Sequence, residues 1–356
     1  MTLISPSKVT QEMTVIGSAL AMAWLVFVAL VWLYGESPLV VARLLLDGTW
    51  GTAYGTGQVL FKATPLLCTG VAVDLGLRAG LFNIGGEGQL AVASLAVAVA
   101  GAHVGSLPTV FAIPLLLFVA AVAGGVWALL PALLRVRYGA HEVIGFIMMN
   151  RIADALVGAL LGAGLAVAGS VRTPDIAPSG LLPRLDRVVT AIHGSAASFA
   201  IVIAVLLAFG CQWLLRRSRV GRELVLVGMN PLASAAVRVP ISQRLTLALV
   251  ASGACAGLAS AGTVLGYKGY YELGLGAGAG FGGLAVALLG RSSVLGLVLA
   301  SMFFGTLQQG GLAINAHVPR ELMDVLEAVV IVAVALSDAR VRGALALRRV
   351  QGAVAA

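Results

Sequence analysis

The sequence predicts an all-α polytopic membrane protein, and three observations carry that reading. Hydrophobic residues make up 60% of the 356 and charged residues 11%, with a mean hydropathy of +1.01. An ordinary soluble domain is roughly 25% charged. A water-soluble fold of this length could not hide so much apolar surface, and a chain this apolar does not stay disordered. The apolar residues also fall in long runs rather than alternating with polar ones, which excludes a transmembrane barrel. The runs are rich in alanine and in the 45 glycines, as suits helices packed closely in lipid.

A helix rising 1.5 Å per residue needs about 20 residues to cross a ~30 Å hydrocarbon core. Ten segments qualify as candidate spans: 15–34, 59–78, 84–104, 108–134, 143–168, 195–215, 243–266, 279–290, 294–312 and 321–337. The first follows MTLISPSKVTQEM, which has no charged leader and no small-residue cleavage site behind its apolar run, so it reads as a retained helix. The eighth is too short to span alone. It is either a half-helix or draws on the Gly-rich stretch before it.

Ten spans put both termini on one side. If that side is the cytoplasm, fifteen Lys and Arg residues fall in cytoplasmic segments. Seven fall opposite (Arg43, Lys62, Arg172, Arg184, Arg187, Lys268 and Arg320), and Arg151 lies inside a span. That is the sign the positive-inside rule requires. The net charge of +8 thus reflects membrane orientation. With no basic stripe interleaved with stacking aromatics, no nucleic-acid partner is expected.

The loop 216–242, RRSRVGRELVLVGMNPLASAAVRVPIS, is the largest cytoplasmic feature. Asn230-Pro231 followed by LASAAV reads as a helix start. A short helix lying across such a loop is a docking knob for a partner, or else part of a plain connection with anchoring arginines.

An internal echo relates GEGQLAVASL at 86–95 to GFGGLAVALL at 280–289, with seven of ten positions identical, among them Gly86/Gly280 and Gly88/Gly282. The copies open the third and eighth spans. An offset of five spans makes the repeat inverted in the membrane. That design recurs in transporters whose substrate path runs between Gly-interrupted helices.

Polar groups within the spans are costly, and so informative. Glu87 and Gln89 follow Asn83 at the head of the third span. Glu87 either faces a path or gate, or caps its helix N-terminus. Asp74 with Arg78, and Arg151 with Asp154, have ion-pair spacing. Asn150, Gln308 and Gln309 suit interhelical contacts or a polar path. Asp324 and Glu327 open the tenth span, where the helix dipole accounts for them.

Several motifs fail. GxGxxG at 278–283 follows no strand, and no glycine precedes a lysine, so there is neither a dinucleotide loop nor a Walker A loop. The GxxxG spacings at Gly76/Gly80, Gly158/Gly162, Gly253/Gly257 and Gly278/Gly282 indicate close helix packing. Cys68, Cys211 and Cys255 have no zinc spacing, and the histidines stand apart, so no metal site or nucleophilic triad is expected.

Several stretches together resemble the permease subunits of bacterial ABC importers for simple sugars and nucleosides. They are ATPLLCTGVAVDLGLRAGLFNIGGEGQL at 63–90, HEVIGFIMMNRIA at 141–153, VGRELVLVGMNPLASAAVRVPI at 220–241, GFGGLAVALLGRSSVLG at 280–296 and ELMDVL at 321–326. RAGLFNIGGEGQ is the most specific and looks like the larger of two permeases that accompany a basic-membrane-protein-type lipoprotein. The resemblance implies a single permease domain over 1–356, with a fold similar to that of the vitamin B12 importer permease. It also implies a second permease, cytoplasmic ATPase subunits that hold ATP and magnesium, and an external binding protein. This chain itself would hold no cofactor. The coupling segment carries over onto Gly228, Asn230, Pro231, Ala233, Ala235 and Ala236, with Arg222 on its basic approach. VRVPI, with Arg238 and Pro240, departs from the usual Gly-Ile turn, and the YYELGLG stretch from Tyr270 is also atypical.

The expected function is passage of a nucleoside or simple sugar across the bacterial inner membrane by alternating access, with Asn83, Glu87, Gln89, Asn150 and Gln308 along the path. A secondary transporter is the first rival, but only Glu87, Asp74 and Asp154 offer coupling carboxylates. A membrane enzyme would need an acid/base or metal cluster, and none is visible.

Overall fold

Each of the ten expected segments falls on helix in the computed structural model, which describes residues 6–334. Residues 1–5 and 335–356 lie outside the described residues. With them lie the end of the tenth expected span and Arg340, Arg342, Arg348 and Arg349 of the charge count. The helices are α1 (Pro6–Leu33), α2 (Pro38–Thr49), α3 (Ala53–Arg78), α4 (Gly86–Ala102), α5 (Thr109–Tyr138) and α6 (Glu142–Leu160). They continue as α7 (Ala200–Arg217), α8 (Arg219–Met229), α9 (Pro231–Ala236), α10 (Ile241–Gly257), α11 (Ala279–Gly290) and α12 (Val294–Ile314). A thirteenth, α13, covers 321–334. No strand forms among the described residues, only two isolated bridges.

Among the described residues, six helices are long and apolar enough to cross a membrane: α3, α5, α6 extended to Leu165, α7, α10 extended to Lys268, and α12. A seventh span results if α1 and α2, bent by 114°, count as one. α4, with 17 residues, and α11, with 12, rise only about 26 and 18 Å. α11 does not draw on the preceding Gly-rich stretch. Gly274, Gly276 and Gly278 there adopt φ of 84°, 83° and 88°, which breaks any helix. α11 is therefore a half-helix. α2 occupies a segment to which hydropathy gives no span, because it is short and carries Arg43 and Asp47.

The described residues form two compact units. In the first, 6–51 with 307–334, α1 and α2 pack with the end of α12 and α13 around Phe27, Val31, Val41, Ile314, Met323 and Leu326. Gly48 lies so close to Ala313 that a methyl group there would collide with it.

In the second unit, Thr52–Thr306, α3 is central. Its most apolar window is 83% buried and that of α10 is 72%, whereas α5, α6 and α7 bury only 22–28%. A helix apolar on all sides belongs at the centre. α10 meets α5 where Gly253 and Gly257 lie on the backbone of Ala120 and Gly124, as the GxxxG spacing predicts. The same spacing at Gly158/Gly162 performs no packing, since nothing lies within 4 Å of a methyl group placed at either. The chain leaves α6 there through a π-helical turn, Leu161–Leu165, broken at Gly164 (φ 117°). The sixth expected span starts late, at Ala200, because residues 195–199 belong to an irregular segment over 166–199. That segment is tied to the Leu265–Tyr271 stretch by the amides of Thr173, Ile176 and Leu182.

Candidate functional site

The site begins where α3 ends. Gly80 (φ 71°) turns the chain, and residues 79–85 lead to the head of α4. α4 has Gly85 at its N-cap and no side-chain cap from its own chain segment. Its first N–H groups are orphans that need partners. Two amide side chains, Asn83 and Asn150, meet part of that need, and a third, Gln89, holds Asn83. Asn83 Oδ1 accepts from the Gly85 N–H at 2.9 Å, and Asn150 Oδ1, from α6, accepts from the Gly88 N–H at 2.9 Å. Asn150 Nδ2 donates to the Ile84 carbonyl at 2.9 Å. Gln89 exchanges two 3.0 Å bonds with Asn83, and Asn83 Nδ2 also donates to Ser252 of α10 at 2.6 Å. All three amides are buried, Asn83 and Gln89 completely. In this conformation they shape the loop from within.

Glu87 does something different. It caps a helix, but not its own. Its carboxylate reaches across to α11 and accepts from the Gly278 N–H at 2.7 Å and the Gly280 N–H at 2.9 Å. Gly278 is the N-cap of α11 and supplies no side chain, so Glu87 takes that role from another helix. The approach needs glycine. A methyl group on Gly280 would collide with the Glu87 backbone and stand 2.5 Å from the carbonyl carbon of Gly86, and one on Gly86 would stand 3.2 Å from the Gly280 carbonyl oxygen. Gly86 and Gly280 are equivalent positions in the internal echo, so the two copies meet at matching residues. Thr69 of α3 donates to the Ala279 carbonyl at 2.8 Å and holds the head of α11 from the other side. Glu87 also borders a small, partly open cavity of about 40 Å³ shared with Leu90, Asp154, Tyr271 and residues 274–277.

Gln308 belongs to the first unit, where its side chain bonds to Glu327. The other four expected path residues belong to the second.

At this same end of α3, Arg78 bonds to Asp74 at 2.7 Å, as their spacing predicts, and also to Gln212 of α7 at 2.7 Å and the Ser292 carbonyl. α8 starts at Ser218, whose hydroxyl accepts from the Gly221 N–H. Glu223 grips Arg219 of its own helix and Arg244 of α10, each at 2.7 Å, and these two guanidinium groups hold its carboxyl below the usual carboxylate range. Arg222 is exposed and donates to the Arg217 carbonyl. Asn230 caps α9 by accepting from the Ala233 N–H at 3.0 Å, with Pro231 at the first helical position. Pro231, Ala233, Ala235 and Ala236 are exposed, and Leu232, beside them, is 84% exposed. Gly228 rests on the backbone of Arg78, Ala79 and Gly80 with no room for a side chain. Arg238 closes the segment at a φ of 60°, a conformation that the Gly of the usual turn would adopt more easily.

A family model, described as the permease component of branched-chain amino acid transport systems, matches residues 55–335. The chain belongs to this family of permeases. It is 37% identical over 301 residues to a guanosine ABC transporter permease of Bacillus subtilis, covering 83% of this chain and 85% of that one. It is 31% identical over 340 residues to a glucose ABC transporter permease of Haloferax volcanii, covering 92% and 87%. It is 27% identical over 312 residues to a nucleoside ABC transporter permease of Lactococcus lactis, covering 85% of each. No solved structure matches. The protein is thus a membrane transport component of the ABC type and not an enzyme.

The permease also uses residues that its sequence does not single out. Ser252 and Thr69 are small hydroxyls within apolar runs, and only the packing shows that they hold Asn83 and α11. Cys211 and Cys255, distant in sequence, come within 3.7 Å as free thiols.

Proposed function

We propose that this permease carries a nucleoside or simple sugar inward across the bacterial cytoplasmic membrane as one subunit of an ATP-driven importer. Membership of the family supports a transport role, and the relatives named for guanosine, nucleosides and glucose support the substrate class. The observation that carries the mechanism is the joint at Gly86 and Gly280. Two short helices related by the echo begin against one another there, with Glu87 of one capping the other. A break of this kind at the meeting of two repeats is where a solute path is built. In this reading Glu87 stands on the path wall, Asn83, Gln89 and Asn150 shape that wall from behind, and Gln308 lines the path elsewhere.

The reading treats 1–356 as one permease domain with ten membrane segments, a fold similar to the vitamin B12 importer permease and both termini cytoplasmic. Partners supply the rest: a cytoplasmic ATPase with its ATP and magnesium, a related second permease and an external binding protein. Segment 228–236 meets the ATPase. The test is reconstitution in vesicles. The chain with ATPase, second permease and binding protein should accumulate labelled guanosine or glucose only with ATP, and the chain alone should hydrolyse none. Accumulation driven by a proton or sodium gradient without ATP would overturn the proposal.

A further inference from the structure

We propose that the face of α6 bearing Arg151 and Asp154 is where the second permease chain docks. The inference rests on the permease reading above. α6 with its π-helical extension runs Glu142–Leu165. Arg151 stands nine residues from its start, about 13 Å along the helix and so near the middle of a ~30 Å core.

One face of α6 is buried through Phe146, Met149, Asn150, Ala153 and Val157. Arg151 and Asp154 lie elsewhere, with side chains 81% and 56% exposed and 3.7 Å between Nη1 and Oδ2. The two charges form an ion pair, but one contact at 3.7 Å engages one nitrogen of the guanidinium, and most of both side chains stays open. Lipid tails offer such groups no partner, and an arginine at this depth normally faces protein or a water-filled cavity.

Other helices display what a lipid-facing surface looks like in this chain. The exposed large side chains of α5 between Val110 and Leu130 are all apolar, with Phe118 and Val126 among them, and so are Val202, Leu206 and Phe209 of α7. The α6 face instead sets its charged pair among Ile144, Met148 and Ile152. Apolar surface around a charged centre is the layout of an interface core with one polar contact. Asp154 also borders the cavity that Glu87 lines, so the charged face continues into the proposed path. A path closed on its far side by a second chain needs such a face. The occupant is therefore a membrane-spanning permease chain that brings an acidic or amide side chain to Arg151 at mid-bilayer depth.

The test places a photo-crosslinking amino acid at Met148 or Ile152, and at Phe118 or Val126 as controls, in the full transporter complex. Adducts are identified by mass spectrometry. Positions 148 and 152 should join to the second permease at least tenfold more than the controls, which should join to lipid. Lipid adducts at 148 and 152, or adducts to further copies of this chain alone, would overturn the proposal. So would absence of adducts together with a Met148→Cys thiol open to a small charged reagent, since that face would then line water. Arg151→Leu should reduce co-purified second permease at least fivefold at an unchanged membrane level of this chain, and Arg151→Lys should restore at least half. Unchanged or increased recovery in Arg151→Leu would also overturn it. A complex showing the expected adducts without ATP-driven uptake would refute the transport reading and leave the docking face standing. Uptake with lipid adducts at 148 and 152 would refute the docking face alone.

Discussion

Replacing Glu87 with glutamine separates two roles for this carboxylate. As built, its two oxygens accept from Gly278 and Gly280 at 2.7 and 2.9 Å, and the side chain is partly buried. Glutamine offers one carbonyl oxygen. Its amide nitrogen must face the remaining N–H or turn away, and either choice leaves one donor of α11 without a partner. A hydrogen bond to a charged group contributes about 1.5–3 kcal/mol. The lost charge at the α11 N-terminus adds about 0.3–1 kcal/mol. Together these give a cost of about 2–4 kcal/mol, at or above the upper end of the usual range for point substitutions. We expect Glu87→Gln to lower the thermal unfolding midpoint of the purified permease by several degrees, with uptake falling in parallel as α11 loosens from α4. Glu87→Asp keeps the charge on a shorter arm and should recover part of the loss. An unchanged midpoint with reduced uptake would mean that the carboxylate serves the solute and that the cap is incidental. An unchanged midpoint with full uptake would refute the importance of the joint altogether.

Three further outcomes follow from the coupling end. Ala235→Glu adds bulk and charge to the exposed α9 segment, and should lower ATPase stimulation by the permease while leaving its membrane level unchanged; normal stimulation would exclude this segment from the contact. Gly228→Ala places a methyl group against the backbone of Arg78–Gly80; overpacking of this kind costs about 1–3 kcal/mol, and stimulated ATPase and uptake should fall together. Glu223 has a folded pKa lowered by Arg219 and Arg244, so its bridge stabilises the 219–244 region above the ordinary carboxylate value of 4.5. That contribution is lost as pH falls from there through the lowered folded value, so amide exchange in 219–244, taken relative to the intrinsic rate at each pH, should be constant from pH 8 to pH 6 and rise in acid, and Glu223→Gln should remove the acid-dependent step.

Hydropathy made the helical segments legible because each is a long apolar run, and α11 was bounded correctly by the glycines before it and Arg291 after it. α2 escaped because twelve residues with two charges do not average to a span. Asn230-Pro231 announced α9 through local chemistry that needs no tertiary knowledge. The role of Glu87 was only half legible. The sequence offers a cap or a path contact, but the capped helix lies 191 residues away, and periodicity assigns a residue to a face without naming what the face meets. The same limit applies to Gly158/Gly162, whose spacing is right for packing and whose surroundings are empty. Asn83, Gln89 and Asn150 look like solute contacts because amides are rare in spans. Their spacing does not show that Asn83 and Asn150 also accept from the Gly85 and Gly88 N–H groups at the head of α4, or that Gln89 holds Asn83 in place.

The loop proposed for coupling and the α4–α11 joint proposed for the solute path are connected by short contacts. Gly228, at the end of α8, sits on the backbone at Gly80, and Gly80 starts the loop that ends at Gly85. Asn83 fixes that loop to Ser252 of α10 and to Gln89 of α4, and Asn150 fixes it to α6. Two residues before Gln89 stands Glu87, holding α11. A displacement of α9 by a partner is therefore delivered to a short loop whose every turn is bonded to a different helix. Closely packed contacts of this type switch between discrete arrangements rather than deform smoothly. Movement at the coupling segment that breaks the Gly228–Gly80 contact must strain either the amide ties of the loop or the Glu87 cap. The amide ties are neutral, and several hold the same loop. The cap is a single carboxylate on two N–H groups, partly open to a cavity. It is the contact that water or a hydroxylated solute can replace, so under the proposed function the α4–α11 joint is where work done at segment 228–236 would open the path.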